Sequence, residues 1–236
     1  MIKRILKSVL PPPIHQRLKR VFYRPTPMQW VMRQLEKRNL DLRSMDALEV
    51  FGRDGHWHTQ YYAPLIRSLE VWEIQDKYRE VLHKNFPAAK VKITDSFQEI
   101  KQTLSKYDLV VVDNSMGIFV DDPYHGSTPT TYCEHFDLFP AIFRVLKDEA
   151  VIIVNVIPAT NEAAMGKYPL LFDSVQLSRR AKFYQTDHPD NISLDDMREA
   201  YRRIMAENGF KLDWSVSRNR GGAGVVYYLA MKSRHN

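Results

Sequence analysis

Apolar and polar positions fall in blocks along the chain, and the period of each block predicts an element. In "PMQWVMRQLEKR" Trp30, Val31 and Leu35 recur at helical spacing, which predicts a helix over 27–38. Residues 47–51 form an apolar run that stops at Gly52, the first strand. Residues 59–69 read as a helix that Pro64 breaks or kinks. "LEVWEI" is β-rich, and "DKYREVLHKNF" follows with Tyr78, Val81, Leu82 and Phe86 on one helical face. "VKIT" is a short strand. "SFQEIKQTL" then sets Phe97, Ile100 and Leu104 on one face behind Ser96 as N-cap. "DLVVVD" is continuously apolar, as in a strand buried on both faces of a parallel sheet. After a polar loop over 114–130, a helix over about 131–146 leads to "AVIIVNVI", the fifth strand.

The end of the chain breaks this alternation. Ser193 opens "SLDDMREAYRRIMAENG", with acids in its first turn and Asn208-Gly209 as its stop. "FKLDWSVSR" and "GVVYYLAMK" then flank "NRGGA", which is a β-hairpin with no helix between its strands. Strands alternating with helices form right-handed βαβ units. The expectation is therefore an α/β protein with a doubly wound, Rossmann-like sheet that closes on a C-terminal antiparallel hairpin.

Charge divides the chain. Of its 34 basic residues seven lie in the first 24, which hold no acid; the rest carries 27 basic against 28 acidic residues. The net charge of +6 thus belongs to an N-terminal arm, and a body at −1 is not that of a nucleic-acid enzyme. The arm sets Ile2, Ile5, Leu6, Val9 and Leu10 beside Lys3, Arg4 and Lys7. After "PPP" it continues with Ile14, Leu18, Val21 and Phe22 beside Arg17, Lys19 and Arg20. Amphipathic basic segments of this kind suit an anionic membrane surface, and equally suit packing on the body or on a second subunit. The division is an arm over 1–26 and an α/β body over 27–236, with a cytoplasmic location, either free or peripheral on the inner membrane face. A single cysteine, Cys133, excludes internal disulfides and cysteine zinc clusters and reads as a small buried apolar residue.

The candidate chemistry starts at "ALEVFGRDGHWHTQ". Glu49 and Gly55 stand six positions apart at the end of the first strand, Glu73 ends the second, 18 residues after Gly55, and Asp95 follows the third in "ITDSF". Asp113-Asn114 ends the fourth. In this order, together with the terminal hairpin, the chain resembles the class I S-adenosylmethionine-dependent methyltransferases over residues 44–233. The resemblance implies their seven-stranded sheet and S-adenosyl-L-methionine as cofactor. It implies Glu73 on the ribose hydroxyls, Asp95 on the adenine amino group, and Glu49 orienting the loop or approaching the ligand ammonium. The cofactor set it implies is Glu49, Phe51, Gly52, Gly55, Glu73, Ile74, Asp95, Ser96 and Asp113. Phe51 and Arg53 stand where the family has glycines, so the loop lacks the G-x-G-x-x-G of a pyrophosphate cradle. A sulfonium nucleoside carries no phosphate and does not need one.

The implied activity is methyl transfer to an oxygen of a small molecule or glycan precursor. The candidate catalytic residues are His125 as general base and Asp113 orienting it or the acceptor, with His56 or His58 next in line. The segments 114–130, 157–167 and 183–192 are expected to cover that edge. No metal is expected: a divalent site would need Asp113 with Asn155, Asn161 or Glu162. Two other readings stay open. One is a methyltransferase-like module that has lost its cofactor and binds a partner. The other is a polyamine-synthase-like transferase, although Met116 and Gly117 stand where that family has its second acid.

Overall fold

The computed structural model describes residues 25–113, 118–119, 130–131, 135–139, 141–159, 174–221 and 225–236. The basic arm over 1–24, Cys133, Asn114, Met116, Gly117, Asn161, Glu162 and the candidate base His125 lie outside the described residues, as do most of 114–130 and of 157–167.

Seven strands form one sheet: β1 (Asp46–Glu49), β2 (Ser68–Glu73), β3 (Lys90–Ile93), β4 (Tyr107–Val112), β5 (Leu146–Val156), β6 (Phe210–Asn219) and β7 (Tyr227–His235). Their order is β3-β2-β1-β4-β5-β7-β6. The first five strands pair in parallel, and β7 enters antiparallel between β5 and β6. This is the class I methyltransferase sheet, as the resemblance implied. A two-residue antiparallel ribbon, Ile118–Phe119 with Thr130–Thr131, stands apart from it.

The central strands are apolar on both sides because both faces are covered. Val110, Val112, Ile152, Val154, Leu229 and Met231 face one core, whereas Leu109, Val111, Val151, Ile153, Tyr228 and Ala230 face the other. The first core is closed by α4 (Ser96–Gln102), α5 (Ser174–Tyr184) and α6 (Leu194–Glu207). The second is closed by α1 (Pro27–Glu36), α2 (Thr59–Tyr62) and α3 (Arg79–Asn85).

Local signals explain the helix ends. Thr26 caps α1 in a reciprocal box with Gln29, and Pro27 takes the first turn, where no backbone donor is needed. Ser193 and Asp196 make the same box on α6, and Gly209 ends it at φ 78°.

Four expectations are corrected. Helix α1 buries Met28, Val31, Met32 and Leu35, while Trp30 lies half-buried with the Arg218 guanidinium 5.4 Å from its ring. The helix at Thr59 stops at Tyr62, and a 3₁₀ turn over Ala63–Leu65 carries Pro64. The cap of α4 is Asp95, whose Oδ1 accepts from the Phe97 amide at 2.9 Å; Ser96 is the first helical residue and its hydroxyl donates to the Val50 carbonyl at 2.5 Å. No α-helix precedes β5 among the described residues of 131–146. Two 3₁₀ segments, Phe136–Leu138 and Ala141–Val145, lie on either side of Pro140, whose ring is incompatible with an unbroken helix there.

Helix α5 was not foreseen. Its buried side is polar: Gln176, Arg180 and Tyr184, four residues apart. The Arg180 guanidinium donates to the carbonyls of Ile157, Pro158 and Pro189, which ties the chain leaving β5 to the chain entering α6. An Ala159–Asn191 bridge reinforces the same junction, so 185–192 runs beside the exit of β5.

The outer strands differ. Strand β3 is four residues long, with Lys90 and Lys92 paired to Glu70 and Glu99. Strand β6 is ten residues long, with a register shift between Leu212 and Trp214.

Among aromatic rings in the first core sits His135, fully buried, sharing a 2.6 Å hydrogen bond with the Tyr201 hydroxyl. Burial pushes its pKa down to about 3 from 6.5. The unfolded chain therefore takes up a proton on acidification before the folded one does. The stability this neutral imidazole contributes is complete above pH 6.5 and falls away towards pH 3. In urea unfolding between about pH 6 and pH 4, the wild type should lose up to about 1.4 kcal/mol per pH unit more than His135→Gln. Parallel slopes for the two proteins would show that the imidazole titrates normally inside the fold.

Candidate functional site

The site is built at the carboxyl ends of β1 to β4, where the chain leaves each strand with a polar residue. Beyond β1 the backbone stays close to the sheet. The amide of Val50 donates to Val111 at 3.0 Å and that of Gly52 to Trp72 at 2.8 Å. A Cβ on Gly52 would stand 2.2 Å from Val71 Cγ1, so the glycine is required by its approach to β2. Arg53 then takes a left-handed φ of 46°, and its amide donates to Glu73 Oε2 at 2.6 Å. Gly55 has φ 69°, and a Cβ there would lie 2.1 Å from the Phe86 ring. The loop thus spends its two glycines on packing against β2 and against the end of α3. Phe51, in a glycine position of the family, packs its ring 5.9 Å from Phe97.

Glu73 is buried and accepts two backbone donors, Arg53 on one oxygen and Gln75 on the other at 2.7 Å. Burial raises its pKa, and the amides of Gln75, Arg53 and Ile74 oppose that rise. Both amide donors fix the plane of the carboxylate. Asp95 stands half-buried one strand further out, next to Ile74 in strand order.

Glu49 and Asp113 have a different setting. Glu49 is fully buried; its Oε2 accepts from Tyr62 at 2.6 Å and Thr59 at 3.2 Å and meets His58 Nε2 at 2.7 Å. The other face of the same imidazole meets Asp113: His58 Nδ1 lies 2.6 Å from Asp113 Oδ2. This second contact is a buried ion pair. Arg220, from the end of β6, donates to Asp113 Oδ1 at 2.5 Å, and the Tyr228 hydroxyl donates to Oδ2 at 3.0 Å. The Arg220 guanidinium also lies 5.2 Å from the ring of the exposed Trp57.

Burial alone would discharge this group of residues. For His58, burial works against the imidazolium, but the carboxylates on either side prevail and push its pKa up to about 10. For Asp113, burial raises the pKa, and the charges of His58 and Arg220 outweigh it and hold it below the usual carboxylate value. Burial, and then the neighbouring carboxylate, raises the pKa values of Tyr62 and Tyr228, so both remain donors.

The structure thus brings Glu49, Gly52, Gly55, Glu73, Ile74, Asp95, Ser96 and Asp113 to one edge of the sheet, with Phe51 beside them. It engages Glu49 and Asp113 within the protein. Sequence reasoning missed Tyr62, Arg220 and Tyr228 and named His58 only as a reserve base. An available signal was Glu49 itself, an acid in an apolar strand that needs a buried partner. Asn155 is buried on β5, and no group of three or more metal-binding side chains occurs among the described residues.

No family model and no curated protein matches the sequence. Solved structures do match its fold. A candidate sarcosine dimethylglycine methyltransferase from Galdieria sulphuraria superposes with a TM-score of 0.52 at 14% identity, covering 88% of this chain and 84% of its own. Protein 1320 of Thermoplasma acidophilum gives 0.50 at 10% identity, covering 90% and 88%. The AdoMet complex of TYW2 from M. jannaschii gives 0.47 at 15% identity, covering 92% and 80%.

The sign of the His58 shift is testable. A group whose folded pKa is raised contributes fully below its unfolded pKa of 6.5 and loses that contribution as pH rises towards about 10. In histidine-labelled NMR, one imidazole should remain protonated through about pH 8.5. If every ring resonance moved by about pH 7.5, the buried ion pair would not exist in solution.

Proposed function

We propose that this chain is an S-adenosylmethionine-dependent methyltransferase that binds its cofactor at the carboxyl edge of β1 to β4. The observation that carries this reading is Glu73. It is a buried carboxylate at the end of β2, oriented by backbone amides, and a carboxylate has about four acceptor sites, so it keeps acceptor capacity for vicinal hydroxyls. The nucleoside half of the cofactor therefore fits: ribose on Glu73, adenine beside Asp95, and half-buried Ile74, Phe51 and Phe97 along the rim. At the other half the carboxylates of Glu49 and Asp113 are already paired. The cofactor, when bound, supplies a methyl group activated on a sulfonium.

The acceptor in this reading is a small molecule or glycan precursor methylated on oxygen. His58 is protonated at neutral pH and Asp113 is ion-paired, so neither takes a proton from a hydroxyl. This reading takes His125, which follows β4 in the sequence, as the base and Asp113 as the residue that orients it or the acceptor. The basic arm is assigned to an anionic membrane surface on the cytoplasmic side. Among the described residues no helix is long and apolar enough to cross a membrane. The pairing of Asp113 and His58 also favours a second reading, a binding module of this fold without turnover.

Calorimetry separates these cases. Wild-type protein should bind S-adenosylhomocysteine, and Glu73→Ala should weaken binding by about 1.5–3 kcal/mol, the range for hydrogen bonds to a charged group. Equal binding by both proteins would remove Glu73 from the site. Cofactor binding without methyl transfer to any hydroxyl acceptor would favour the module.

A further inference from the structure

Helix α1 stands upright against the last strand of the sheet. The Arg218 guanidinium lies 5.4 Å from the Trp30 ring, and that of Arg38 lies 4.8 Å from Trp214. Residue 30 is thus level with 218 and residue 38 with 214, so α1 runs antiparallel to β6. The two intervals agree at about 12–13 Å, eight residues at the helical rise against four at the strand rise. Strand β6 is parallel to β5 through the antiparallel β7 and ends at the carboxyl edge, where Arg220 reaches Asp113. The first turn of α1 is therefore at the carboxyl edge. Its last turn is near the amino edge, where the chain enters β1 at Asp46 after a 3₁₀ turn over Leu42–Ser44.

Residues 1–24 consequently join the body at the edge that holds Glu73 and Asp113. They carry seven Lys/Arg and no acid, and four of the seven, Arg17, Lys19, Arg20 and Arg24, fall in the last eight positions before the body. Contacts continue from that junction. Trp30 meets Arg218, and two residues on, about 7 Å along the strand, the Arg220 guanidinium lies 5.2 Å from the ring of Trp57. Trp57 is 61% exposed, and Arg53 and His56 of the same loop are exposed beside it. A lone exposed apolar side chain is ordinary on a protein surface. Trp57 differs in its place, at the corner where a basic, amphipathic segment enters. An indole suits the boundary between headgroups and acyl chains, and lysines and arginines draw such a segment to an anionic leaflet.

Resting on the membrane reading of the arm above, we propose that this corner of the body docks on an anionic lipid surface. The start of α1 and the loop carrying Trp57 face the bilayer, and the Trp57 indole enters at headgroup level. That orientation turns the cofactor edge towards the headgroups, within reach of an acceptor carried on a lipid. The far end of α1, with Arg38 and Trp214, points away from the bilayer.

The test uses the full chain with phosphatidylcholine vesicles, with and without phosphatidylglycerol, and with acyl chains brominated near the headgroup. The protein should sediment with anionic vesicles and not with neutral ones, and raised salt should release it. Brominated anionic vesicles should quench tryptophan emission. Trp57→Phe should lose most of that quenching while its vesicle affinity stays within about fivefold of wild type, because the arm is intact. Trp214→Phe should lose none. Should Trp57→Phe fail to fold, hydrogen exchange on the wild type decides: anionic vesicles should slow the amides of 53–58 and leave those of 36–40 unchanged. Sedimentation with neither the quenching of Trp57 nor the protection of 53–58 overturns this proposal and leaves the arm on the membrane. No sedimentation with anionic vesicles overturns the reading of the arm as well. Tighter binding to single-stranded RNA than to anionic vesicles at the same salt assigns arm and corner to nucleic acid and overturns both.

Discussion

The imidazolium of His58 is the contact on which the upper half of the sheet depends. It belongs to the loop after β1, yet it touches an acid from β1 on one side and an acid from the end of β4 on the other. Through Asp113 it reaches Arg220 and Tyr228 on the terminal hairpin. Three stretches far apart in sequence, 49–62, 113 and 220–228, therefore meet in one buried set of charges. Breaking such a set by removing one member costs about 3–5 kcal/mol, because it strands the remaining charge in a dry interior. The arrangement fixes where the loop sits and how the hairpin closes on the parallel strands.

Glycine has a narrower part in this loop than its family counterpart implies. Gly52 and Gly55 are demanded by neighbouring side chains, those of Val71 and Phe86. Arg53 takes a left-handed φ although it has a side chain, and its amide is held by Glu73. The carboxylate that orients a sugar in the proposed function also stabilises the strained residue beside it. Loop and ligand site share one anion.

How much of this was legible in the sequence follows from what each residue is buried against. The strands "DLVVVD" and "AVIIVNVI" were legible because burial on both faces demands an unbroken apolar run, whatever packs on it. The capping of α6 was legible because Ser193 and Asp196 act within four residues. The segment before β5 was not, since apolar spacing in 136–145 resembles a helix and Pro140 decides otherwise. Helix α5 escaped because its inward side is Gln176, Arg180 and Tyr184, which no hydrophobic period reveals. The places of Glu73 and Asp95 at strand ends were legible, because each closes a β-rich run. The partners of Glu49 and Asp113 were not, because pairing between residues 49, 58, 113 and 220 is a property of the folded sheet and leaves no local spacing to read.

The two outer strands of the sheet face the same hazard and meet it by opposite means. An open strand edge is a template on which another chain can add itself. Strand β3 offers only four residues, and its two lysines carry charge along that border. Strand β6 is long enough to template a neighbour, but its register shifts at Leu212–Trp214, which breaks the straight row of donors and acceptors, and Arg38 of the chain after α1 lies 4.8 Å over the Trp214 ring just beyond. A hairpin inserted to complete the sheet thus carries on its outer strand the features that hinder another strand from extending it.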